Sequence, residues 1–199
     1  MGFCMVRIDT YDENMNPTGS EERDVVHRRG LWHRNVYVVV VSPFTRDILL
    51  FLRDKKKAAS GSHWAAIGEH PQKGEQDLVE VAQRGISEDM GLDIVREQVI
   101  DVGLELKVRL TDTKTLKDYE FQNYFAIRWD GNPSELKLGP ENSEARFVRP
   151  YEIGKPPYVV PLGNEYLGKV TRRLVKTGLI GKKDLRKPGN GGFFAGLIS

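Results

Sequence analysis

Cysteine is almost absent from this chain of 199 residues, since Cys4 is the only one. A disulfide within the chain is therefore excluded, which favours a reducing compartment, and we expect a cytoplasmic protein. No apolar run reaches the roughly 18 residues of a membrane-spanning helix, and the first residues lack the apolar core of a secretory signal. The formal net charge of +2 does not by itself indicate nucleic acid. Composition excludes neither a nucleic-acid partner nor a homodimer.

The pattern of apolar residues predicts an α+β protein. Residues 36–41 are a run of β-branched valines, interrupted by Tyr37, that is typical of a buried strand, and residues 48–52 supply its hairpin partner. Residues 76–90 carry apolar side chains at every fourth position, which predicts an amphipathic helix. Further elements are predicted as strands at residues 6–10, 99–108, 121–129 and 145–148, and as a second helix that Asn164 caps and Gly178 ends.

Turn-forming residues divide the rest of the chain. Residues 12–19 and 150–157 are predicted to be links, and the basic, glycine-rich residues 182–199 a flexible tail. We expect a segment at residues 1–32 that packs on a main domain at residues 33–155. The last unit, residues 156–199, would hold the second helix and the tail.

Acidic residues cluster around the loop before the first long helix and near the end of that helix. They are Glu69, Glu75, Glu88 and Asp89, and Arg84 lies four residues before Glu88 on the same helical face. Clustered carboxylates beside a glycine-containing loop suit Mg2+, which prefers oxygen ligands and shares them with substrate phosphates. This pattern predicts chemistry on a diphosphate. An ordinary salt-bridged helix face, with Glu88 paired to Arg84, is the alternative.

A second set combines imidazoles and carboxylates. His27 and His33 precede the first core strand, and His70 opens the acidic loop. Asp118 and Glu120 are two apart in a strand and therefore share one face. Three imidazoles and two carboxylates could complete an octahedral site for Mn2+, Mg2+ or Zn2+.

The acidic loop and helix resemble the signature of the Nudix superfamily. The matching residues are Glu75, Arg84, Ile86, Glu88, Gly91 and Leu92. Two departures are that Gly85 stands where the family has an acid and that Asp89 replaces a Glu. The resemblance implies a Nudix-type α/β/α sandwich with a mixed β-sheet, metal ions held at the positions of Gly85, Glu88 and Asp89, and hydrolysis of diphosphates.

Residues 7–150 also resemble the isopentenyl diphosphate isomerases, which share this fold. The resemblance rests on residues 9–19, His27, His33, residues 53–57, Trp64, residues 70–75, Asp118 and Glu120. It implies one metal ion on His27, His33, His70, Asp118 and Glu120, and a second, held with help from Glu75. It also implies diphosphate contacts from Arg53, Lys56 and Lys57. The family has a catalytic cysteine at the position of Gly68.

These patterns lead to three functional hypotheses. The first is a hydrolase of a diphosphate-linked small molecule, in which Glu75, Glu88 and Asp89 hold Mg2+ or Mn2+ and Glu88 belongs to the catalytic site. Glu120 or Glu69 would orient or deprotonate the attacking water. Phosphate oxygens would be bound by Arg53, Lys56, Lys57 and Arg84. The second is an isomerase that has replaced the missing thiol. The third is a catalytically degenerate Nudix-fold binding protein, which the glycines at positions 68 and 85 favour.

Overall fold

The computed structural model describes residues 6–54 and 63–188. Within these residues, the strands are β1 (Arg7–Tyr11), β2 (Pro17–Glu22), β3 (Trp32–Val41), β4 (Ile48–Arg53), β5 (Trp64–Ala65), β6 (Ile67–Glu69), β7 (Ile100–Asp112), β8 (Lys117–Arg128) and β9 (Asn142–Val148). The α-helices are α1 (Arg23–Arg29), α2 (Leu78–Met90) and α3 (Asn164–Lys176). Short 3-10 helices span Arg96–Gln98, Pro133–Glu135, Pro150–Glu152 and Lys182–Leu185. No helix among the described residues is long and apolar enough to cross a membrane.

Strand β3 lies at the centre of a mixed sheet. It runs parallel to β8 along residues 33–41 and antiparallel to β6, β1 and the start of β4. Strand β7 continues the sheet beyond β8, and β9 pairs with β4. A strand that is paired on both edges and covered on both faces needs apolar side chains almost throughout. The β-branched run of β3 meets that need.

Helices cover both faces of this sheet, which confirms the predicted α/β/α sandwich. Val36, Val38 and Val40 of β3 belong to one core, with the buried residues of α2. Val39 and Val41 point the other way, into a second core with the buried face of α3. The alternation of strand side chains therefore assigns one helix to each face.

The first long helix differs from its prediction mainly at its start. It was predicted over residues 76–90 and begins at Leu78. Asp77 is its N-cap, because the carboxylate accepts hydrogen bonds from the backbone N–H groups of Val79 and Glu80 at 3.0 and 3.4 Å. Gly91, with φ of 67°, ends it in the left-handed conformation.

Two local predictions were wrong, and one element was missed. Part of the link predicted at residues 12–19 is strand β2, which pairs with β1 across a turn where the Asp12 carboxylate accepts two backbone N–H groups. Helix α1 was not predicted, since its 7 residues are too few to show a period. Position Gly163 rather than Asn164 is the N-cap of α3.

The predicted tail also contains regular structure at its beginning. Lys182–Leu185 forms a 3-10 helix, in which the Asp184 carboxylate accepts the Gly181 N–H at 2.6 Å. That capping contact orders a segment whose basic, glycine-rich composition predicted flexibility. The predicted link at residues 150–157 likewise contains the 3-10 turn Pro150–Glu152.

Candidate active site

Three neighbouring strands and one short helix bring the histidines and two acids together. His33 of β3 lies directly opposite Glu120 of β8 in the parallel register. His70 follows β6, whose last residue, Glu69, pairs with Val36 of β3. His27 comes from α1, which Gly30 ends with φ of 68° so that the chain turns into β3. Residues far apart in sequence therefore meet at one end of the sheet.

The donor atoms of these residues lie within reach of a single metal ion. Nε2 of His33 is 3.2 Å from Nε2 of His70 and 3.6 Å from Oδ1 of Asp118. Nε2 of His27 lies 3.7 Å from the same Asp118 oxygen, and Nε2 of His70 lies 3.9 Å from Oε1 of Glu120. Two groups of three residues, His27, His33 and His70, and His33, Asp118 and Glu120, have ligand atoms within 4.8 Å of one another. The structure thus brings together all five residues of the predicted set.

The buried surroundings keep the imidazoles neutral and favour protonated acids. Burial lowers the pKa of His27 to about 3 and the pKa of His70 well below its usual value. Burial, reinforced by repulsion from Glu120, raises the pKa of Asp118 to about 7. Neutral imidazole nitrogens are the form that binds metal.

Two unpartnered atoms indicate that a cation fits this site. Nε2 of His27 and Oδ1 of Asp118 are buried and have no hydrogen-bond partner in the part of the chain that the structure describes. Nδ1 of His33 contacts the Leu31 carbonyl oxygen at 3.0 Å, which directs Nε2 inward. Buried polar atoms normally have partners, and a divalent cation would satisfy these nitrogen and oxygen donors together.

A group of polar residues that sequence reasoning missed supports Glu120. Its Oε1 accepts a hydrogen bond from Asn35 Nδ2 at 2.6 Å, and its Oε2 accepts from Tyr37 Oη at 3.1 Å and Gln122 Nε2 at 2.7 Å. Gln122 Oε1 in turn accepts from Tyr124 Oη at 2.7 Å. The signal was present as polar residues at alternate positions, 33, 35 and 37, and 120, 122 and 124, which share one face of each strand.

The acids of the signature surround Arg84. Its Nη1 donates to Glu75 Oε1 at 2.5 Å, and its Nη2 donates to Glu69 Oε1 at 3.0 Å and to the His70 carbonyl oxygen at 2.9 Å. Its Nε lies 4.0 Å from Oε1 of Glu88, so the ion pair expected between these two helix residues is present as a long contact. Burial raises the pKa of Glu69 to about 7 despite the guanidinium. Arg84 therefore holds the loop of Glu69 and Glu75 against α2.

Two predicted metal ligands on α2 stand apart from the histidine set. Glu88 is exposed, and Asp89 Oδ1 accepts a hydrogen bond from Asn142 Nδ2 at 2.9 Å. Burial raises the pKa of Asp89 to about 6. Glu75, Glu88 and Asp89 do not form a cluster of ligand atoms within 4.8 Å among the described residues. Their role as ligands of a second cation stays a prediction.

Gly85 and Gly68 are two positions at which the chain departs from its family patterns, and close packing explains the glycine at each. A Cβ at Gly85 would lie 3.0 Å from Cβ of Glu69 and 3.1 Å from Cγ2 of Ile67, so glycine lets α2 approach β6 closely. A Cβ at Gly68 would lie 3.3 Å from Cε1 of Tyr37. Large neighbouring side chains therefore take up the space beside each glycine.

The four predicted phosphate-binding residues differ in their surroundings and in whether the structure describes them. Arg53 ends β4 and forms an ion pair with Glu141. Arg84 is engaged with carboxylates, as described above. Lys56 and Lys57 lie outside the described residues. Binding of phosphate by any of these side chains stays a prediction.

The chain belongs to the Nudix family. The family model described as NUDIX domain matches residues 31–170. This range holds β3, β6, α2 and β8, and with them His33, His70, Glu120 and the acids of α2.

Among curated proteins, the chain is related to isopentenyl-diphosphate Delta-isomerases. It is 37% identical to the Pectobacterium atrosepticum enzyme over 89 residues, which cover 44% of this chain and 49% of that protein. It is 30% identical to the Serratia proteamaculans enzyme over 134 residues, covering 67% and 70% of the two chains. An uncharacterized Nudix hydrolase from Rhodococcus erythropolis is 28% identical over 152 residues, covering 66% and 74%. The chain thus spans about half of the Pectobacterium relative.

Solved structures support the same fold. The MutT protein of Methanosarcina mazei Go1 superposes with a TM-score of 0.57 at 18% identity, covering 73% of this chain and 95% of that one. An Ap4A hydrolase of C. elegans superposes with a TM-score of 0.51 at 14% identity, covering 73% and 96%.

Proposed function

We propose that this protein is a divalent-metal-dependent hydrolase of a diphosphate-linked small molecule. The observation that carries the proposal is the meeting of three imidazoles and two carboxylates, in which Nε2 of His27 and Oδ1 of Asp118 are buried without a hydrogen bond to any described residue. A set with three imidazole nitrogens favours Mn2+ over Mg2+, which prefers oxygen ligands. The bound metal would supply a Lewis acid for the diphosphate.

The protein groups have separate roles in this proposal. Asn35, Tyr37 and Gln122 orient the Glu120 carboxylate, so that Oε1 is aimed at the imidazoles. Glu69 is the candidate acid or base, because a pKa of about 7 lets its carboxyl group hold or release a proton near neutral pH. Its Oε1 is fixed by Arg84, so the proton would be carried on Oε2.

The acids of α2 and the nearby cations would bind the diphosphate. Glu75, Glu88 and Asp89 are proposed to hold a second Mg2+ or Mn2+ together with the substrate, since such ions share ligands with phosphates. Arg53, Lys56, Lys57 and Arg84 are proposed to donate to phosphate oxygens. Arg84 would do so only after exchanging one of its present carboxylate partners.

Isomerisation of a five-carbon diphosphate is the second candidate, and the named relatives favour it. It requires a positioned acid and base at an allylic carbon. Gly68 supplies neither, and the tyrosine ring beside it takes the space of a side chain there. Tyr37 or Glu69 would have to serve in place of a thiol.

Turnover of a substrate panel tests these alternatives. Phosphate and diphosphate release would be measured from nucleoside, sugar and prenyl diphosphates with Mg2+ or Mn2+. We expect release to be lost in Glu88→Gln and retained in Glu80→Gln, since Glu80 is exposed on the first turn of the same helix. If no compound of the panel releases phosphate or diphosphate, the proposed hydrolysis of these compounds is contradicted. Double-bond migration in a prenyl diphosphate would then support the isomerase, and binding without reaction the degenerate module.

A further inference from the structure

A cavity lies between α3 and the sheet face that carries the histidine site. Its walls include Val39 and Leu50 of the sheet and Leu167, Val170 and Leu174 of α3. Its volume is about 90 Å3, which is room for several waters. The walls are almost entirely apolar, so water gains few partners there and an apolar group would displace it favourably.

The few polar side chains around this cavity are already engaged. Tyr37 and Gln122 donate to Glu120, and Tyr124 donates to Gln122. The hydroxyl of Thr171 contacts the carbonyl oxygens of Leu167 and Gly168 within its own helix, at 3.0 and 3.1 Å. A nucleobase or a sugar placed here would lose its hydrogen bonds to water without replacement, which is costly. The chemistry of the cavity therefore favours a hydrocarbon group.

Tyr37 lies between this cavity and the metal site, since it lines the cavity and donates a hydrogen bond to Glu120. Its ring stacks on Tyr124 with centroids 5.4 Å apart and planes 18° apart, and its hydroxyl reaches Glu120 at 3.1 Å. The ring occupies the space beside Gly68, where a Cβ would lie 3.3 Å from Cε1. One side chain thus supports a proposed metal ligand at its tip and lines the cavity with its ring.

We propose that the cavity under α3 receives an apolar group of the molecule whose diphosphate lies at the metal site, and that Tyr37, in the space that Gly68 leaves, determines the size of the group admitted. This inference rests on the function proposed above and names its substrate class. Tyr37 is a specificity-determining residue here, because its ring fixes the distance between the polar and apolar ends of the site.

Binding of n-alkyl phosphates tests the cavity without requiring turnover. Affinities of methyl, butyl, hexyl and octyl phosphate for the Mn2+-loaded protein would be measured by calorimetry. We expect the affinity to rise about threefold to fourfold for each added methylene until the cavity is filled. Thr171→Leu, which fills the cavity from α3, should abolish most of this gain. Thr177→Leu is the matched control, since Thr177 makes the same hydroxyl contacts with helix carbonyls but lies outside the cavity.

Two substitutions at Tyr37 separate its two contacts. Tyr37→Phe keeps the ring, so the chain-length dependence should persist while Mn2+ affinity falls because Glu120 loses a donor. Tyr37→Ala should enlarge the cavity, so that branched and aryl phosphates, which the wild type should bind weakly, also gain affinity. Equal affinity for methyl and octyl phosphate, or a full gain in Thr171→Leu, would overturn the proposal.

The outcomes also distinguish this inference from the proposed function. A chain-length gain without hydrolysis of any diphosphate would support the cavity as a binding site and contradict the hydrolase. Hydrolysis of nucleoside diphosphates with no chain-length gain would support the hydrolase and overturn the cavity's role.

Discussion

Replacing His27 with leucine should affect the metal-free and the metal-bound protein in opposite ways. Nε2 of His27 is buried, and no hydrogen bond satisfies it within the described residues. Its pKa of about 3 means that the ring is neutral at pH 7, so no charge interaction is lost. Leucine is of similar size and carries no polar atom. Because a buried unsatisfied polar atom costs about 1–3 kcal/mol, the metal-free variant should be at least as stable as the wild type.

The metal-bound protein should lose stability relative to the wild type. Mn2+ at 100 times its Kd stabilises the wild type by about 2.7 kcal/mol, which corresponds to a rise in Tm of roughly 5–11 °C for a protein of this size. Loss of a direct ligand should weaken binding at least about 10-fold to 100-fold. At the same concentration the variant would then gain only about 0.4–1.4 kcal/mol.

Thermal denaturation with Mn2+ and with EDTA measures both effects. Val26→Leu is a control for packing, since Val26 is also buried in α1 but carries no donor atom. The reasoning is refuted if His27→Leu lowers the Tm in EDTA by several degrees while the Mn2+ shift stays as large as in the wild type. That result would show that His27 stabilises the fold and does not bind metal.

Three further substitutions test the packing and the support of the site. Gly85→Ala should lower the Tm although alanine favours helix by about 1 kcal/mol, because its Cβ would lie 3.0 Å from Glu69 Cβ. A higher Tm would contradict the close approach of α2 and β6. In the double variant, Glu69→Gly should relieve part of the effect, since the contact with Ile67 Cγ2 remains. Asn35→Leu should weaken Mn2+ binding about 10-fold to 100-fold in calorimetry, since Glu120 Oε1 loses its donor; unchanged affinity would mean that this hydrogen bond does not orient the ligand. Ile86→Ala should cost about 2–5 kcal/mol in denaturant unfolding because Ile86 is fully buried under the sheet, whereas Glu80→Ala on the exposed face should cost far less; equal losses would contradict the assigned face of α2.

The long helices and strands could be predicted from the sequence because each is long enough to show the spacing of apolar residues that is typical of its type. The β-branched run of β3 and the apolar stripe of α2 determine which faces are buried, whatever else the chain does. The sequence also supplied the histidines and acids, because few residue types can bind a divalent cation and their order resembles that of a known family. The short helix α1 and the strand β2 were missed, since neither is long enough for a period and both depend on contacts with the sheet.

Tertiary structure alone decided how the site is assembled. The parallel register places His33 opposite Glu120, and that register depends on the packing of the whole sheet rather than on either residue. Glycine is required at position 85 because Glu69, in another element, packs closely against it. At position 68 the ring of Tyr37, on the neighbouring strand, takes the space of a side chain. Sequence determines which chemical groups are present and which face of a helix or strand they occupy, because these follow from local geometry. Distances between elements, and therefore which groups can share a metal ion or border a cavity, arise only when the two cores close around the sheet.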